Sequence, residues 1–349
     1  MISYIDYSLS NRIIESSIQK IECGYHGFIQ KLQHDLQKVP LIEEKINLVQ
    51  KDLRKCFDSE CRLVPIGSAA NLLLNQASDL DLVLLPYSNA KQLKSFKEKF
   101  AKDEQFKKSY MKNTRSKIMS RKIGFCDHPY FKAKIPILRF FSQRKLQVDI
   151  QFGNIGPIRS SLFVRTCVEY DERVGFLIHW LTNKFQEADI LNSAIGKFSR
   201  YHVNILVIHF LQAIPYPVLP DIIQLSPWLS PKHDWNKAVK VLTRRGSLYV
   251  PNNSEMPNKH SVAALAVQLI DYYSQVDFQR VSIDTRGRLL DRTESDSSQL
   301  KLMDEFFDQS TCRVFNAPPL LKALFIRLKT IVLKEKYDDL FKYYKLKKT

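Results

Sequence analysis

Residues 65–86 read PIGSAANLLLNQASDLDLVLLP and set two acidic side chains, Asp79 and Asp81, into an apolar run shortly after a Gly-Ser pair. Side chains alternate along a strand, so Asp79 and Asp81 are expected on one face, with Leu80 and Leu82 on the other. Two neighbouring carboxylates repel, and burying them unpaired costs on the order of several kcal/mol. A cation between them resolves the conflict. A divalent metal is the simplest choice, and magnesium combines one or two carboxylates with substrate phosphates.

The residues before the pair supply the phosphate side. LVPIGSAANLLL predicts a strand, a tight turn and a helix opening near Ser68, with Gly67 allowing close approach and free backbone N–H groups facing an anion. Alone, a Gly-Ser before a helix is usually an N-cap. Ahead of Asp79-x-Asp81 on the next strand, phosphate binding becomes the better reading. In KLQVDIQF, Leu146, Val148, Ile150 and Phe152 alternate with Gln147, Asp149 and Gln151, which puts Asp149 on the polar face of an amphipathic strand. Such an aspartate is by itself most often solvated. Beside Asp79 and Asp81 in one sheet, it completes a three-carboxylate site able to hold two metals about 3.5 to 4 Å apart, as in-line phosphoryl transfer requires.

Outward from this centre the texture changes twice. Residues 11–58 carry apolar positions at three- and four-residue spacings, among them Ile14, Ile18, Ile21, Ile46, Val49 and Leu53, and predict leading helices. Short strands follow from Cys61 to about Gly153, interrupted by a lysine-rich segment over 91–122. After Gly156 helical patterns return, clearest in RVGFLIHWLTNKF, YHVNILVIHFLQAI, SVAALAVQLIDYYSQ and LLKALFIRLKTIVLKEKY. At 349 residues and 44% hydrophobic content the chain is long enough for two packed domains. Lysine and arginine exceed aspartate and glutamate by 53 to 36, and the resulting +17 attracts polyanions, nucleic acid first. The N-terminus lacks the pattern of a secretory signal, and no apolar run is long enough to span a bilayer. The expectation is a protein of the cytoplasm, or of the nucleus, that engages no membrane. The six cysteines show no CxxC pairs and no zinc spacing, so they are expected to be reduced and structural.

Gly67-Ser68, Asp79-x-Asp81 and the distal Asp149 in VDIQFGN together resemble the signature of the DNA polymerase beta-like nucleotidyltransferases. KAKIPILRF, FSRYHVNILVIHFL, PVLPDIIQLSP and SVAALAVQLIDYYSQVDFQ make the chain most similar to the noncanonical poly(A) polymerases and terminal uridylyltransferases, over roughly residues 50–315. The resemblance implies an α+β fold: a polymerase beta-like nucleotidyltransferase domain with a mixed sheet over 51–155 and a mostly α-helical central domain over 156–349. A cleft is expected between them, and helices of 1–50 should pack on the helical domain.

The resemblance also implies a reaction. Asp79, Asp81 and Asp149 would hold Mg2+ or Mn2+, and an RNA 3'-hydroxyl would attack the α-phosphate of UTP, or of ATP as the runner-up, releasing pyrophosphate. Nucleotide-binding roles are implied for Gly67, Ser68, Ser160, Lys184, Ser199, Tyr201, Glu305 and Thr311. Ser160 stands where the family usually has a sugar-reading asparagine. Ile178 precedes His179 and Trp180 where the family has a lysine, which leaves Lys184 as the candidate for the phosphates or as a solvated surface lysine. Tyr201 is a base-stacking ring or a core aromatic. Thr311 lies near the position of the histidine associated with uridine preference. A threonine hydroxyl donates or accepts and so does not choose between uracil and adenine.

The densest basic run, Lys107, Lys108, Lys112, Arg115, Lys117, Arg121 and Lys122, is the candidate RNA surface or a solvated insertion. With no added RNA-binding module in the sequence, the enzyme is expected to act as a monomer, steered by an RNA-binding targeting protein. The alternative class is an inactive family member serving as an RNA-binding scaffold.

Overall fold

The computed structural model describes residues 5–126, 135–251, 258–292, 299–307, 310 and 312–345. In chain order the leading elements are α1 (Ser8–Leu36), α2 (Val39–Arg54), β1 (Arg62–Ile66), β2 (Leu80–Leu85), α3 (Ala90–Lys102), α4 (Glu104–Ser120), β3 (Gly124–Cys126), β4 (Ile137–Ser142), β5 (Gln147–Phe152) and α5 (Gly156–Tyr170). There follow α6 (Glu172–Glu187), α7 (Arg200–Ala213), α8 (Ile222–Leu225), α9 (Asn236–Thr243), α10 (Val262–Gln275), β6 (Val281–Asp284), β7 (Leu289–Asp291), β8 (Lys301–Met303), α11 (Ala317–Leu333) and α12 (Tyr337–Leu340).

The chain divides into two compact units. One comprises residues 36–166 and 228–248, the other 1–35, 167–227 and 249–349. These boundaries depart from the expected cuts after residues 50 and 155. Helix α2, with Ile46, Val49 and Leu53 buried, falls in the same unit as the sheet, and α9 joins that unit by packing on β1.

The first unit is built on a five-stranded mixed sheet in the order β1-β2-β5-β4-β3. Strand β2 pairs antiparallel to β1 and parallel to β5, and every residue of it except Asp81 is buried. That explains the apolar run: a central strand covered on both faces reads as continuous hydrophobic sequence, broken only where a polar group has a task. Strand β5 keeps strict alternation, with Val148, Ile150 and Phe152 buried. Lysine-rich α3 and α4 cover one side through Phe96, Phe100, Met111 and Ile118, and their lysines face outward.

The second unit is helical around α6, α7, α10 and α11. Helix α1 contributes a stripe at alternating four- and three-residue steps, Ser10, Ile14, Ser17, Ile21, Gly24 and Phe28. Gly24 lets the backbone of Tyr337 approach, since a Cβ there would come within 2.9 Å of the Tyr337 carbonyl oxygen. This unit also contains a three-stranded sheet in the order β7-β6-β8, which the sequence patterns did not predict. Its strands are three or four residues long, too short to show a period.

Candidate active site

Strand pairing brings the central carboxylates together at one end of the sheet. Asp81 on β2 lies directly opposite Asp149 on β5, and Asp79 immediately precedes β2. Register partners share a face, so Asp81 and Asp149 project the same way. Gly67 closes the other side with φ +60°, and a Cβ on it would stand 3.0 Å from Asp81 Oδ2. Only glycine permits both that backbone conformation and that approach at no steric cost.

Two neighbours absent from the expected site hold these carboxylates. Arg139 on β4 is the register partner of Asp149 and grips it with two bonds, Nε to Oδ1 at 2.8 Å and Nη2 to Oδ2 at 2.6 Å. Gln147 donates from Nε2 to Asp79 Oδ2 at 3.0 Å. The all-oxygen donor set suits a hard divalent cation such as Mg2+ or Mn2+. Among the described residues, however, no three His, Cys, Asp or Glu side chains converge closely enough to hold an ion. Arg139 gives Asp149 a counter-charge from within the protein. In ILRFFS, Arg139 alternates with buried Leu138 and Phe140 and so shares the polar face of the sheet, a placement that only the strand pairing reveals.

The Gly-Ser turn also differs from its reading. Gly67–Ala69 form a single 3-10 turn in place of a helix opening near Ser68. Asparagine and serine side chains capture the following amides: Asn71 accepts from Leu73 N–H, Asn75 from Ala77 N–H, and Ser78 from Asn75 N–H. These local bonds compete with helix formation. The Gly67 N–H donates to Ser161 Oγ at 2.9 Å, so this amide is spoken for and Ser161 fixes the turn. Ser160 is buried and donates to the Pro157 carbonyl oxygen. Ser68 remains half-buried at the turn beside Asp81.

The remaining predicted residues fall in the helical unit. Ser199 caps α7 by accepting from His202 N–H. Tyr201, in the first turn of α7, donates its hydroxyl to Asp304, which follows β8. Burial is the main cause that pushes the Asp304 carboxyl up to about 7, against the opposing hydrogen bonds from Tyr201 and the Phe306 amide. Glu305 pairs with Arg286, which also holds Asp221. Thr311 lies outside the described residues. Lys184 is a correction to both of its readings: 1% exposed, it contacts Glu187 Oε2 at 2.7 Å and the Lys342 carbonyl oxygen at 3.2 Å. Burial lowers its pKa, and its bonds hold it in the interior of the unit. The basic run lies on and just after α4, with Lys108, Lys112, Arg121 and Lys122 exposed.

Residues 22–169 match the family model described as the central palm domain of mitochondrial-like poly(A) RNA polymerase. This part of the chain is similar to the palm domain of poly(A) RNA polymerases. The chain is 27% identical over 309 residues to caffeine-induced protein 16 of Schizosaccharomyces pombe, an alignment covering 86% of this chain and 23% of that protein. Human poly(A) RNA polymerase GLD2 is 26% identical over 256 residues, covering 72% of this chain and 50% of GLD2. The alignments thus span about half or less of these curated relatives. The same fold occurs in the GLD-2/RNP-8 complex, with a TM-score of 0.69 at 19% identity, covering 92% of this chain and 98% of that one. Cid1 in complex with its short product ApU gives 0.65 at 16% identity, covering 97% and 100%. These likenesses show that the chain shares the fold of the GLD-2 and Cid1 structures.

Proposed function

We propose that this chain is a template-independent nucleotidyltransferase that adds UMP from UTP to RNA 3' ends and releases pyrophosphate. The observation that carries the reading is the in-register placement of Asp81 and Asp149 on adjacent parallel strands, with Asp79 two residues ahead of Asp81 and the Gly67 turn against Asp81. Asp79 and Asp81, with Asp149 as a third donor, would hold Mg2+ or Mn2+, which would neutralise charge developing on the α-phosphate. Asp149 is placed by Arg139 and would accept the proton of the RNA 3'-hydroxyl. The Ser68 hydroxyl would hold phosphate, and Tyr201 would stack on the base, with its hydroxyl anchored by Asp304.

UTP is favoured by the helical segments that resemble the compact uridylyltransferases. A second reading, ATP as donor, is favoured by curated relatives named poly(A) RNA polymerases. The charge of +17 suits an RNA substrate, and the RNP-8 complex of GLD-2 supports a targeting partner. No described helix is long and apolar enough to cross a membrane, and cytoplasmic work on RNA fits that composition. Incubating the protein with labelled RNA, Mg2+ or Mn2+, and one nucleotide at a time tests both readings. Extension with UTP above ATP supports the first, the reverse order establishes the second, and no extension with any nucleotide overturns both.

A further inference from the structure

Two large aromatic side chains stand exposed on the sheet face that carries the carboxylates. Phe125 on β3 is 69% exposed and Phe141 on β4 is 48% exposed. They are direct cross-strand partners, and Phe141 is in turn the partner of Gln147 on β5. Partners in register share a face, so Phe125, Phe141 and Gln147 form one row across three strands. Gln147 ends that row at Asp79 through its 3.0 Å hydrogen bond. The adjacent row on the same face holds Arg139, Asp149 and Asp81.

Leaving a phenylalanine in water forfeits most of the benefit of burying it, and two adjacent ones on an open sheet face form a patch that folding does not explain. With strands about 4.8 Å apart, Phe125 stands roughly 14 Å across the sheet from the level of Asp79. The rings are therefore within reach of the nucleotides immediately behind a 3' end held at the carboxylates. A hollow of about 540 Å3 begins at the neighbouring residues Ile123 and Ser142, and Lys55, Arg121, Lys122 and Arg144 line it against the single acidic Asp52. Flat rings beside a cation-rich hollow are what single-stranded nucleic acid needs: faces for the bases and positive charge for the phosphates.

We infer that Phe125 and Phe141 form a stacking platform for the bases of the RNA just upstream of its 3' end, with Arg121, Lys122 and Arg144 taking the phosphates. This inference rests on the RNA-transferase reading for its substrate and adds a base-contacting surface to it. Stacking is tolerant of sequence because every base has a face, so the platform grips any unpaired end and rejects a blunt duplex.

The test is the affinity of the full chain for a short fluorescein-labelled single-stranded RNA, read by anisotropy without nucleotide across a salt series. Phe125→Leu and Phe141→Leu keep apolar surface and remove the flat ring. Each is expected to weaken binding roughly tenfold while leaving the slope of log affinity against log salt unchanged. Phe125→Tyr and Phe141→Tyr should retain wild-type affinity. Arg121→Gln with Lys122→Gln should reduce the slope by about 0.7 for each phosphate that is no longer neutralised. Wild-type affinity in the Phe125→Leu/Phe141→Leu pair overturns the platform, and extension of the RNA by that same pair leaves nucleotidyl transfer standing without it. Ring-dependent affinity in a chain that extends no RNA supports the platform and removes the transferase.

Discussion

Arg139→Met isolates the interaction that most alters the expected site. The guanidinium makes two bonds to Asp149, and the side chains are 28% and 13% exposed. Exposed ion pairs contribute about 0.2 to 1 kcal/mol, whereas breaking a buried one costs about 3 to 5 kcal/mol. A bidentate pair of intermediate burial should therefore contribute about 2 kcal/mol. Removing the cation also leaves Asp149 facing Asp81 across paired strands, and like charges so placed are destabilising. The assay is urea unfolding in EDTA of the wild type, Arg139→Met, Asp149→Asn and the double variant, which together isolate the pair's coupling. A coupling near 2 kcal/mol is expected. Adding Mn2+ should then stabilise Arg139→Met more than the wild type, because a bound cation would take over the lost counter-charge. A coupling below about 0.5 kcal/mol would show that solvent screens the pair and would refute this reasoning.

Gly67→Ala should cost about 1 to 2 kcal/mol from its positive φ and reduce nucleotide addition further by crowding Asp81, checked by unfolding and extension assays side by side. Lys184→Met should lower stability by about 1 to 3 kcal/mol, less than a fully orphaned ion pair because Glu187 keeps Arg327, with the KM for nucleotide unchanged. Asp304 is raised from 3.8 to about 7, so the folded chain holds the extra proton between those values; its contribution to stability is full below about pH 4 and lost as pH rises through 7. Asp304→Asn should flatten that part of the pH dependence in urea midpoints measured from pH 4 to 8. His209 acts in the opposite sense: burial lowers it to about 4, its Nδ1–H donates to the Asp284 carbonyl oxygen, and its Nε2 accepts from the Tyr272 hydroxyl. Stability that depends on neutral His209 should therefore fall as pH drops from about 6.5 to 4, and His209→Gln should weaken that acid sensitivity.

Elements with a clear hydrophobic period were legible in the sequence. Strands β1, β2 and β5 and helices α6, α7, α10 and α11 fall within a few residues of their patterns, because burial on one face or both imposes the repeat. In the sequence Asp79 and Asp81 stand out as acidic breaks in an apolar run, and Asp149 as an acidic residue on the polar face of an amphipathic strand. What stayed hidden depends on partners distant in sequence. Arg139 reads as a surface cation until strand pairing sets it opposite Asp149. Lys184 reads as solvated until Glu187 and the Lys342 carbonyl enclose its amine. The helix expected at Ser68 gives way to side-chain bonds from Asn71 and Asn75, a competition that propensity alone does not resolve.

Extension of a labelled single-stranded RNA by the wild type and by the Asp79→Ala/Asp81→Ala variant, in Mg2+ or Mn2+ with UTP or ATP, tests the central claim most directly. The expected result is 3' addition by the wild type and none by the variant, with circular dichroism showing both folded. Normal addition by the folded variant would contradict the assignment of the reaction to this carboxylate pair.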